Sequence, residues 1–178
     1  MEISMTSNGR IMKIMILGEA GVGKSSLIKR FTNGTFSSRT SSTVGVDKIS
    51  STYELSNESQ TINLQLLDTA GALKFQGILK SYMTSIDAVI LMYDISNKET
   101  FAALPMWVSL LHSACKKGVV KLLLGNKSDL EREVMTKNAK NYADFEGMFS
   151  METSVKDEKN IHSVFEIVIR ELQMKNEL

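Results

Sequence analysis

Four continuous apolar runs restrict this chain more than any other feature: "RIMKIMILG", "TINLQLLD", "DAVILMYD" and "VVKLLLGN". A strand with one face in water alternates apolar and polar residues, whereas a run without alternation has to be covered on both faces. Helix-like segments lie between the runs, so they read as parallel strands joined by crossover helices, an α/β layout. A shorter run in "GMFSMETS" adds a further strand.

One stretch behaves differently. In "DKISSTYELSNESQTINLQLL", Ile49, Ser51, Tyr53 and Leu55 alternate with polar neighbours, "SNESQ" reads as a turn, and alternation resumes at Ile62, Leu64 and Leu66. This predicts a hairpin forming one sheet edge. Ile161, Val164, Phe165, Val168, Ile169 and Leu172 recur at helical spacing, the stripe of an amphipathic helix that packs on the sheet.

The 178 residues, 43% of them apolar, suffice for one core, and no repeat, low-complexity tract or linker marks a second domain. The 21 basic and 20 acidic residues are interspersed, leaving a formal charge of +1 and no footprint for nucleic acid. The single Cys115 has no partner for an internal disulfide, which fits a reducing, cytoplasmic setting. The N-terminal apolar stretch is too short and interrupted for a signal peptide, no run of about 18 apolar residues occurs, and "LQMKNEL" carries neither a prenylatable cysteine nor a basic cluster. The chain alone is therefore expected to be a monomer that does not insert into membranes.

Two loops carry chemistry. "GEAGVGKS", Gly18 to Ser25, fits G-x-x-x-x-G-K-S between an apolar run and the helical "SSLIKRF". Its glycines let backbone N–H groups wrap phosphates, the helix N-terminus adds positive potential, Lys24 reaches the outer phosphates and Ser25 ligates Mg²⁺. "GNKSD", Gly125 to Asp129, leaves the carboxyl end of another strand, where open α/β sheets place ligands. The Asp129 carboxylate can accept from both N1–H and the exocyclic amino group of guanine, a donor pair that adenine lacks on that edge.

"GEAGVGKSSLIKRF", "TVGVD", "DTAG", "GNKSDL" and "ETSVK" occur in the order found in the Ras-like small GTPases, and the chain most resembles their Rab branch. The resemblance runs from about Ile11 to the final helix. It implies a P-loop NTPase G domain with a six-stranded, mostly parallel sheet, one antiparallel edge strand and helices on both faces. The whole chain, 1–178, would be one such domain with a core at about 11–175 and a short N-terminal extension. By the same resemblance Gly21, Val22, Gly23, Lys24, Ser25 and Ser26 cradle the phosphates of GTP or GDP. Asn126, Lys127 and Asp129 grip guanine, and Ser154, Val155 and Lys156 close over it, with Val155 in place of the usual alanine but its N–H available. Ser25, Thr43 and Asp68 hold Mg²⁺, while Thr43 and the Gly71 N–H sense the γ-phosphate. Exchange factors, effectors and a role in vesicle trafficking follow from the same likeness, with membrane association only through a lipidated tail or a partner.

The departures are specific. Ala72 stands where the family keeps a water-positioning glutamine, Leu73 replaces an acid, and Ala20 brings a methyl toward the γ-phosphate, so the expectation is intact binding and slow hydrolysis. The competing reading is a pseudo-GTPase that holds nucleotide as a static structural ligand; Asn126 and Asp129 disfavour an ATPase. Lys48 and Leu67 replace a phenylalanine and a tryptophan of the partner surface, Leu67 in the polar-facing register of Asn63 and Gln65. His112 and His162 are read as ordinary helix residues, Cys115 as a half-buried helix residue, and Trp107 and the 11 methionines as core filling.

Overall fold

A computed structural model describes residues 10–38, 41–55, 61–71 and 76–176. Its elements run β1 (Met12–Leu17), α1 (Lys24–Asn33), β2 (Val46–Glu54), β3 (Thr61–Thr69), α2 (Gln76–Met83), β4 (Ala88–Asp94), α3 (Lys98–Ala102), α4 (Leu104–Ala114), β5 (Val120–Asn126), α5 (Thr136–Phe145), β6 (Phe149–Glu152) and α6 (Ile161–Asn176). The six strands form one sheet in the order β2-β3-β1-β4-β5-β6. Only the β2 and β3 pair is antiparallel, with Val46 opposite Thr69 and Glu54 opposite Thr61. The hairpin edge and the parallel remainder are as the apolar pattern predicts; the turn "SNESQ" lies outside the described residues.

Neighbouring residues of each central strand enter opposite cores, which is why those strands carry no polar alternation. Ile14, Ile16, Ile90, Met92, Leu122 and Leu124 face α1 and α6. Met15, Leu17, Val89, Leu91 and Leu123 face α2, α4 and α5. The six-residue stripe of α6 is buried in the first core, and Phe165 stacks on Phe31 of α1 with ring centroids 3.8 Å apart. This joins the helix that begins at the phosphate loop to the last helix of the chain.

One expectation is corrected. Leu67 does share the register of Asn63 and Gln65, but α2 covers that end of β3, and Leu67 is buried with Leu79 and Met83. Its cross-strand neighbour Lys48 is exposed, its ammonium 5.0 Å from the Tyr82 ring centroid, so α2 supplies an aromatic side chain beside the lysine. Cys115 is half-buried but caps α4 from just beyond its last turn rather than lying within it.

Candidate nucleotide site

A cavity of about 640 Å³ opens where the loops leaving β1, β3 and β5 and the loop after β6 converge at the carboxyl edge of the sheet. Continuous apolar strands place their polar termini at that edge, so the loops share one space.

At the phosphate end, Gly23 has φ 104°, and a Cβ there would stand 2.3 Å from the Asn126 side-chain nitrogen. Glycine is required both by conformation and by space. Helix α1 starts at the next residue with no acidic side chain in its first turn, leaving the N–H groups of Lys24, Ser25 and Ser26 with positive potential directed at the cavity. Lys24 folds back over the loop, its Nζ donating to the carbonyls of Gly18 at 2.8 Å and Glu19 at 2.7 Å. Burial pushes its ammonium down to about 8, against the attraction of the Asp68 and Glu19 carboxylates.

The Ser25 and Thr43 hydroxyls are 2.9 Å apart. Beside them Asp68 is buried, with Oδ1 lacking a hydrogen-bond partner among the described residues. Burial pushes the Asp68 carboxyl above its ordinary range, although a hydrogen bond with Ser25 and the Lys24 charge oppose this. Two hydroxyls and an unsatisfied carboxylate oxygen form a hard, oxygen-only donor set, which fits Mg²⁺ completed by phosphate oxygens and water. Ala70 donates its N–H to Gly45 at 2.9 Å, tying the Thr43 loop to the Gly71 loop. Gly71 itself lies on the phosphate loop: a Cβ there would be 2.3 Å from the Ala20 nitrogen.

At the other end, Asn126 is almost fully buried. Its Nδ2 donates to the Val22 carbonyl at 2.8 Å and its Oδ1 accepts from the Val155 N–H at 3.2 Å. The Val155 N–H is therefore engaged rather than available, and the valine side chain fills part of the first core. Asn126 acts here as a clamp on three loops. Lys127, at φ 66°, sends its ammonium 2.6 Å from Asp94 Oδ2. Burial raises the Asp94 carboxyl, but the hydrogen bonds from Lys127 and Ser96 outweigh it and hold the group below its usual range. Asp129 accepts from the Ser154 hydroxyl at 2.6 Å, and Lys156 Nζ lies 3.8 Å from its other oxygen.

Sequence reading missed three contributors. Phe36 and Leu130, 40% and 46% exposed, give the cavity apolar walls suited to an aromatic ring. Phe36 was visible only as a lone aromatic in the polar loop "TNGTFSSRT". Arg30 of α1 donates to the Val155 and Lys156 carbonyls at 3.1 Å and 3.0 Å, fixing the loop that closes over the cavity. Ala20 is exposed at the cavity wall, whereas Ala72 and Leu73 lie outside the described residues.

The Ras family profile matches residues 13–174. The chain belongs to the Ras family. It is 38% identical over 165 residues to the Ras-related protein Rab-30 of Homo sapiens, an alignment covering 92% of this chain and 80% of that protein. It is 37% identical to the Ras-related protein RABA5a of Arabidopsis thaliana, covering 93% and 75% of the two chains. With the Ras-related protein Rab11A of Lotus japonicus it shares 35% identity over 91% and 72%. This Ras-family chain is a Rab-like, GTP-binding small GTPase, and its sheet is that of the G domain.

Proposed function

We propose that this Rab-like GTPase is a guanine-nucleotide switch that binds GTP and GDP with Mg²⁺ and hydrolyses GTP slowly. The reading is supported above all by one cavity that has Lys24 and the first turn of α1 at one end and Lys127, Leu130, Val155 and Lys156 at the other. Lys24 and the N–H groups from Gly21 to Ser26 bind the phosphates. Asp129 accepts from guanine, Lys127 and Phe36 flank the ring, and Asn126, Val155 and Lys156 keep the loops closed around it. Ser25, Thr43 and Asp68 would hold Mg²⁺, which when bound neutralises phosphate charge and fixes phosphate geometry. Thr43 and the Gly71 N–H respond to the γ-phosphate, so both loops change order when it is lost.

Ala72 has no polar group to orient water. If this counts like one preorganised donor, the barrier rises by at most about 2.7–4 kcal/mol, which leaves turnover slow rather than absent. By family, the switch acts in vesicle trafficking through exchange factors and effectors, with membrane association supplied by a lipid anchor or partner. Titration with fluorescent mant-GDP and mant-ADP tests the nucleotide: a clear preference for the guanine form is expected, and equal affinity overturns the assignment. Ala20 and Ala72 also favour a second reading, a static pseudo-GTPase. Limited proteolysis of GTP- and GDP-loaded protein at Arg39 and Lys74 separates the two, identical patterns supporting the static module.

A further inference from the structure

Glu19 is a variable position of the phosphate-loop motif, yet it is gripped from three sides. Its carbonyl accepts from Lys24 Nζ at 2.7 Å. Its carboxylate Oε1 accepts from the indole Nε1–H of Trp107 at 2.8 Å. The peptide joining it to Ala20 is the floor under Gly71, whose Cβ, if present, would stand 2.5 Å from the Glu19 carbonyl carbon. Trp107 is wholly buried in α4, within the core cluster that also takes Leu79 and Met83 from α2. A buried indole N–H needs an acceptor, and here it finds an ionisable one in a loop 88 positions away.

We propose that Trp107 is a positioning residue for nucleotide retention: through Glu19 it holds the phosphate loop in the shape that Lys24 and Gly71 require. The proposal rests on the nucleotide-switch reading above. Packing between α2 and α4 sets the height of the indole, the indole sets the Glu19 carboxylate, and Glu19 sets the backbone against which the phosphate-sensing glycine rests. An apolar residue such as leucine or phenylalanine could fill this core without any tie to the loop; the indole brings a donor that the loop satisfies.

The consequence is a shared effect of Trp107 and Glu19 on nucleotide release. Trp107→Phe keeps a ring in the core and removes the donor; Glu19→Ala leaves the core untouched and removes the acceptor; Glu19→Gln keeps an oxygen that can accept the indole proton. Release of mant-GDP, chased with excess GDP, should accelerate about tenfold in Trp107→Phe and in Glu19→Ala, the scale of one lost hydrogen bond to a charged group. Release from the double variant should be no faster than from either single one, and Glu19→Gln should restore near-wild-type release. Because Trp107 is the single tryptophan of the chain, its emission reports on the same contact. Stripping nucleotide with EDTA should shift that emission in the wild type and not in Glu19→Ala. Multiplicative rates in the double variant, or wild-type release from Glu19→Ala, would overturn the proposal while leaving the switch reading in place. Failure of the wild type to bind mant-GDP would remove the switch reading itself, and this proposal with it.

Discussion

The Ser25 hydroxyl lies 2.9 Å from the Thr43 hydroxyl, although one sits in the first turn of α1 and the other in the loop leading to β2. With Asp68 Oδ1, which has no hydrogen-bond partner among the described residues, beside them, they form the oxygen set proposed above to hold Mg²⁺. Ser25→Ala should raise the Mg²⁺ concentration that half-maximally slows mant-GDP release by at least about tenfold, since even outer-shell changes register on that scale. Thr43→Val should raise the corresponding Mg²⁺ concentration for release of a non-hydrolysable mant-GTP analogue and leave that for mant-GDP unchanged. An equal effect of Thr43→Val on both loaded forms would show that Thr43 does not sense the γ-phosphate.

Asn126 makes a different prediction because its amide is turned toward protein. Removing it strands the Val22 carbonyl and the Val155 N–H in a buried setting. At about 1–3 kcal/mol for each unsatisfied group, Asn126→Ala should lose roughly 2–6 kcal/mol in urea unfolding of the nucleotide-free protein. A loss of nucleotide affinity with unchanged stability would mean that Asn126 serves the ligand and not the clamp.

The fold was legible because burial on two faces leaves a mark in sequence. The runs around Ile14, Ile90 and Leu122 have no polar alternation, and the α6 stripe from Ile161 to Leu172 has a single period. The two loops that meet at the cavity, Gly18 to Ser25 and Gly125 to Asp129, were legible because glycine, lysine and aspartate at fixed spacing answer to local geometry. What stayed hidden depends on distant partners. Leu67 follows the polar parity of its strand, and only the placement of α2 buries it. Glu19 and Trp107 meet only after β1 and α4 pack together, and the capture of the Val155 N–H by Asn126 needs two loops brought together by the sheet.

The base-side loops also rest on a charge pair with a defined pH signature. Arg132 donates twice to the Glu152 carboxylate, at 2.7 Å to each oxygen, tying the segment after Asp129 to the residue that precedes the Thr153–Ser154 loop. The Arg132 guanidinium holds the Glu152 carboxyl below its ordinary value of 4.5, with burial opposing and Thr136 assisting. A depressed folded pKa gives stability that is present above 4.5 and lost as pH falls through the folded value. Arg132→Ala should therefore lower the urea midpoint at pH 7, and the gap from wild type should close progressively below pH 4.5. A gap independent of pH across that window would assign the effect of Arg132 to packing.

The sharpest prediction concerns chemistry and rests on the identity of Ala72. An alanine side chain has no group to orient an attacking water, while in the proposed site nucleotide affinity would be set by Lys24, Asp129 and their neighbours. Ala72→Gln should therefore speed single-turnover GTP hydrolysis and leave GDP affinity nearly unchanged, the pattern of an interaction made only in the transition state. Ala20→Gly removes a methyl from the cavity wall and should help little by itself. Combined with Ala72→Gln and an arginine-donating activator it should help more, because access for the arginine and orientation of the water act on one transition state and need not add. A wild-type rate equal to that of ordinary small GTPases, or no gain in Ala72→Gln despite intact GTP and Mg²⁺ binding, would show that another group positions the water.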